Sequence, residues 1–152
     1  MKQKMLCLFV TLSLVCAACS KKDDENTVSK SQEYAAAMAG DYVLHATTVL
    51  YDAQGVVVPD EGETIDGNLS VVNPSENTVV IAIPERGVQA EGYTDDGGVF
   101  HLRTFKFFTV TISEISSDIK LSGNTLGGTA HCRLEQNGEV RVADLVVSAT
   151  RK

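Results

Sequence analysis

The polarity pattern divides the chain into three parts. Met5–Ala18 is apolar apart from Thr11 and Ser13, whereas between Ser20 and Glu33 only Val28 is clearly apolar. From Asp41 onward, short apolar runs alternate with polar residues at period two and are separated by Gly, Asn, Asp, Ser and Pro clusters. Period-two runs with such punctuation read as strands. The polar second part buries too little surface to offset the entropy of ordering it and reads as a tether. Between them, Tyr34-Ala-Ala-Ala-Met-Ala39 is made of strong helix formers, Ser29 and Gln32 have capping-box spacing, and Gly40 stands where a C-cap would. One short helix ending at Gly40 is predicted.

The predicted strands are Asp41–Tyr51, Thr64–Val72, Thr78–Ile83, Val88–Tyr93, Val99–Thr104, Phe107–Ile115, Asp118–Ser122, Gly128–Glu135 and Glu139–Thr150. Asn137-Gly138 suits a type I′ hairpin turn, placing Ala130, Cys132 and Leu134 on one face with Val140 and Val142 on the returning strand. The apolar phase of that last strand then shifts to Leu145, Val147 and Ala149, which predicts a bulge near Ala143–Asp144. Short strands joined by tight turns, with no crossover helices, predict an all-β antiparallel meander. It closes as an eight-stranded barrel or, as the alternative, packs as a two-sheet β-sandwich. Val43, Val49, Leu69, Val71 and Ile81 are read as inward positions able to fill a small barrel. Phe100, Leu102, Phe108, Val110 and Ile112 share one parity and read as core. Phe105 and Phe107 have the other parity, so either a turn intervenes or these two face outward beside Arg103 and Lys106.

The N-terminal run adds an address. Lys2 and Lys4 precede an apolar stretch of 14 residues, Met5–Ala18, too short to span a bilayer and typical of a secretory signal peptide. Val15-Cys16-Ala17-Ala18-Cys19 resembles the lipobox of bacterial lipoproteins, with Cys16 where that family prefers an aliphatic residue. The resemblance makes Cys19 the lipidated N-terminus and the membrane a partner through its acyl chains. Ser20-Lys21-Lys22-Asp23-Asp24-Glu25 resembles the export signal of Bacteroidetes surface lipoproteins, with Lys22, Asp23, Asp24 and Glu25 as its charged residues. That implies display on the outer membrane. The organisation expected is a signal peptide over 1–18, a tether over 19–33 and a single all-β domain over 34–152.

Ala39-Gly40-Asp41-Tyr42, opening the first strand after a short helix, resembles the G-x-W element of lipocalins and their calycin relatives, with Tyr42 in place of Trp. The layout of residues 35–152 also resembles the calycin-like lipoproteins of Bacteroidetes. In these families a basic residue from the last strand packs over the aromatic, a part that falls here to Arg151 or Arg141.

Composition mainly excludes. A net charge of −7, moving to −9 once residues 1–18 leave with two lysines and no acid, argues against nucleic acid. Charge is uneven: Asp41–Val99 holds 11 acids and one base, Arg86, and Phe100–Lys152 holds 5 acids and 7 bases. No G-x-S-x-G, H-E-x-x-H or P-loop motif occurs, so the expectation is a non-enzyme without cofactor. His45, His101 and His131 lie on separate predicted strands and read as surface residues rather than a zinc site. Asp60, Glu61, Glu63 and Asp66 lack EF-hand spacing and read as solvated surface, not a calcium loop. Cys132 reads as a core thiol. Two functions remain. The first is an interaction or accessory module for another envelope protein, with a filled barrel. The alternative is a barrel holding a small apolar or glycan ligand, although the lack of Trp and the scarcity of Tyr weaken the glycan version.

Overall fold

The computed structural model describes residues 28–152, an all-β chain with one short helix. Helix α1 (Lys30–Met38) carries the expected capping box: the Gln32 N–H donates to Ser29 Oγ at 3.3 Å, and the Ser29 N–H donates to Gln32 Oε1 at 2.9 Å. It thus begins within the stretch read as tether. Its end differs from expectation. Ala39 is the C-cap in an extended conformation, and Gly40, at φ 153°, opens the first strand. The left-handed glycine cap is replaced by a side chain: Arg151 Nη2 donates to Ala37 O at 2.5 Å and to Ala39 O at 3.2 Å.

Ten strands follow: β1 (Gly40–Tyr51), β2 (Thr64–Ser75), β3 (Thr78–Ile83), β4 (Val88–Thr94), β5 (Phe100–Leu102), β6 (Phe105–Phe107), β7 (Val110–Ser117), β8 (Lys120–Ser122), β9 (Thr125–Gln136) and β10 (Glu139–Arg151). All belong to one antiparallel sheet in the order β5-β4-β3-β2-β1-β10-β9-β7-β6, with β8 beside β9, so the two-sheet sandwich does not form. β5 and β6 are halves of one run, the first paired with β4 and the second with β7. β7 and β8 both pair with β9. The ten strands therefore make eight runs, with first and last paired through β1 and β10. The sheet is strongly curled and barrel-like. Its two margins meet where Val99 bridges Lys120 and the Phe100 N–H donates to Ile119 O at 2.8 Å.

Side-chain parity corrects several expectations. On β1 the inward residues are Tyr42, Leu44 and Ala46, all buried, while Val43 is 57% exposed and Val49 shares its outward face. Leu69 and Val71 are buried and Ile81 packs against them, as expected. β10 pairs with β1 and β9 without a register shift, so no bulge occurs at Ala143–Asp144. Ala143 and Ala149 are buried and Val147 packs against the core, while Val140 and Val146 are exposed on the outer face. Leu134 consequently faces Arg141 across the hairpin. The hairpin turn itself is as expected: Asn137 and Gly138 have φ 53° and 82° and join Gln136 to Glu139.

The aromatic segment resolves as a turn. The chain breaks after Leu102, which brings Phe105 and Phe107 to the interior, and then turns back at Phe108-Thr109. Phe108 is 87% exposed at φ 52°, so it is a turn residue and not core.

Candidate functional site: the barrel interior

The curled sheet is closed at one end and open at the other. Exposure along β1 rises from Tyr42 at 0% and Leu44 at 3% to the part-buried Thr48 and Leu50, which places the closed end at Tyr42. Helix α1 lies there. Tyr42 Oη donates to Met38 O at 2.6 Å, Thr94 Oγ1 donates to Ser31 O at 2.5 Å, and Arg151 lies 5.3 Å over the Tyr42 ring while donating to its hydroxyl at 2.8 Å. The residue over the aromatic is thus Arg151. Arg141 is at the other end, paired with Glu61 at 2.6 Å.

Between these ends lies a cavity of about 400 Å³. Leu44, Ile81, Ile112 and Leu145 belong to its apolar wall, Phe105 and Phe107 line it from β6, and Thr48, Glu61 and Glu63 reach it from the mouth. Small side chains explain the space. Ala46, Ala90, Ala130 and Ala143 all line it, and the outward turn of Val43 and Val49 removes two branched side chains that would have filled it.

Two polar groups sit in the wall. Cys132 is 4% exposed on β9, and burial first, then the charges of Glu114 and Asp144, push its thiol up to about 11, so it stays protonated at neutral pH. Glu114, 11% exposed, closes the gap between β5 and β7: Oε2 accepts the Leu102 N–H at 2.5 Å and Oε1 pairs with His101 Nδ1 at 2.8 Å. Burial opposes protonation of His101, but the hydrogen bonds to Glu114 and Asp95 outweigh it and hold its pKa above the ordinary value. Alternation alone did not single out Glu114, because a glutamate in an alternating strand normally faces water.

The other residues singled out in the sequence stand apart. His45 pairs with Asp66 at 2.6 Å on the exposed outer face. His131 pairs with Asp144 at 2.5 Å, and Tyr51 donates to the same carboxylate at 2.6 Å. The His131 hydrogen bond, followed by that of Tyr51, holds Asp144 below its ordinary pKa. Glu61 pairs with Arg141 and Glu63 with Arg86, so the acidic loop has separate partners rather than a common centre. Among the described residues, no group of three or more His, Cys, Asp or Glu is placed to hold a metal ion, and no helix is long and apolar enough to cross a membrane. Cys19, Lys22, Asp23, Asp24 and Glu25 lie outside the described residues. No protein-family model, curated protein or solved structure matches the chain.

Proposed function

We propose that this chain is an outer-membrane lipoprotein, anchored through Cys19 and displayed at the cell surface, whose calycin-like barrel holds a small apolar or amphipathic ligand. The observation that carries the ligand reading is the cavity of about 400 Å³, within the size range of small-molecule sites and lined mostly by apolar side chains. Its volume and lining favour this reading over a filled accessory module. An apolar interior of this kind takes its affinity from buried hydrocarbon, at roughly 25 cal/mol per Å². The Cys132 thiol in the wall is held protonated, which disfavours thiolate chemistry there.

The accessory-module reading keeps one observation in its favour, the fully presented Phe108 side chain at a positive φ.

The test is a titration of the full chain with the neutral apolar fluorophore N-phenyl-1-naphthylamine. Saturable enhancement at one probe per chain is expected, and no enhancement at micromolar probe overturns the ligand reading. The anchor has its own test. Cys19→Ala is expected to leave the membrane fraction, and sedimentation of that variant with membranes overturns the lipoprotein assignment.

A further inference from the structure

The cavity has a charge pattern as well as a volume. Three carboxylates reach it, those of Glu61, Glu63 and Glu114, and among the described residues lining it none is basic. Glu61 and Glu63 stand at the mouth. Arg141 and Arg86 pair with them at 2.6 and 2.7 Å, and neither arginine is among the lining residues. Thr48 Oγ1 stands at the same level, fixed by hydrogen bonds with the Glu63 backbone. Deeper in, Glu114 lies across from Cys132 with both oxygens already engaged by Leu102 and His101. The remaining wall is hydrocarbon.

On an open surface these carboxylates would be ordinary solvated acids. At the mouth of an apolar cavity, half-exposed and each shared with an arginine, Glu61 and Glu63 are the polar groups that a ligand's head would meet. A carboxylate or phosphate head placed there meets like charge and no basic lining residue. An ammonium head placed there meets the acceptor oxygens of Glu61 and Glu63.

We infer that the cavity selects cationic amphiphiles, taking the hydrocarbon body inward past Ala46 and Ala130 and leaving the ammonium head at Glu61 and Glu63. The inference rests on the ligand-binding reading above and names its ligand class.

The test is displacement of bound N-phenyl-1-naphthylamine from the full chain by dodecylamine, 1-dodecanol and dodecanoate, at about pH 7 and low salt. The amine is expected to bind on the order of fivefold tighter than the alcohol, with dodecanoate weakest. The spread should shrink at about 0.5 M salt. In the Glu61→Gln/Glu63→Gln double variant the amine should lose its advantage over the alcohol, and dodecanoate should gain on both because Arg141 and Arg86 are left without their partners. Arg141→Gln, which releases Glu61 from its partner, should widen the preference and serves as the second reading if the double variant folds poorly. Dodecanoate binding to the parent as tightly as the amine, or a preference that is the same in all three proteins, overturns the charge selection and leaves the cavity intact as a ligand site. Failure of the fluorophore and all three competitors to bind overturns the ligand-binding reading, and the selection with it.

Discussion

Removing Arg151 tests how the closed end is held. Its Nη2 donates to Ala37 O, Ala39 O and Tyr42 Oη, and the guanidinium lies over the buried Tyr42 ring at 5.3 Å. Ala37 and Ala39 end α1, and their carbonyls belong to the set that a helix leaves without an internal partner. In Arg151→Ala these acceptors lose a charged donor, worth roughly 1.5–3 kcal/mol, and the ring loses a cation–π contact of about 0.5–1 kcal/mol. The buried Arg151 Nε has no partner, and its removal returns about 1 kcal/mol. The net cost is about 2 kcal/mol, a fall in melting temperature of roughly 6–10 °C for a domain of this size. Arg151→Lys keeps the charge but is shorter and loses the flat guanidinium over the Tyr42 ring, and should recover less than half of the loss. The assay is thermal and urea denaturation by circular dichroism, with hydrogen exchange of the α1 amides as the local reading. The reasoning is refuted if Arg151→Ala melts within about 2 °C of the parent, or if the loss occurs with α1 protection unchanged.

Three other perturbations probe separate parts of the fold. Phe108→Asn places a residue that tolerates positive φ at the β6–β7 turn and removes an exposed ring, so the unfolding free energy from urea titration should rise by about 0.5–1 kcal/mol; a loss of more than about 1 kcal/mol would show that the ring is held by contacts rather than strained. His101 has a pKa raised above its ordinary 6.5, so its pairing with Glu114 and Asp95 contributes stability that is complete below about pH 6.5 and is lost as pH rises through the folded value. The difference in urea midpoint between the parent and His101→Gln should therefore be larger at about pH 5.5 than at about pH 8.5, and an equal difference at both contradicts the sign. Cys132, with its thiol pushed up to about 11 and almost no exposure, should resist iodoacetamide at about pH 8 until urea unfolds the chain, as followed by peptide mass spectrometry. Labelling in the folded protein at the rate of a free thiol would mean that the wall opens.

The strand framework was legible because turn chemistry punctuates it. Asn137-Gly138 fixed one hairpin, and the Ser29/Gln32 spacing marked the start of α1. Facing was less legible where both sides of a strand are apolar. In Tyr42-Val43-Leu44 alternation alone gives no choice, and the decision comes from far along the chain, because Tyr42 must reach Met38 and Arg151. The same ambiguity on β10 made Val140 and Val142 look inward and suggested a bulge that the continuous pairing does not contain. The turn at Phe108-Thr109 lacks Gly, Asn or Asp and therefore carried no local signal. The candidate site was the least legible part. A cavity is a sum over wall residues that come from every side of the barrel, and its alanines read individually as ordinary strand positions.

The hollowness of the interior is the claim on which the ligand reading stands, and filling it is the most direct measurement. Ala130 is 3% exposed and lines the cavity, and Ala46 does so from another strand. With empty space beside them, Ala130→Leu and Ala46→Leu should each leave the unfolding free energy from urea titration within about 0.5 kcal/mol of the parent, because the added methylenes occupy the void. Each should also weaken N-phenyl-1-naphthylamine binding at least about tenfold by taking the ligand's volume. A packed interior gives the opposite pair of results: a loss of about 1–3 kcal/mol from overpacking, with probe fluorescence unaffected.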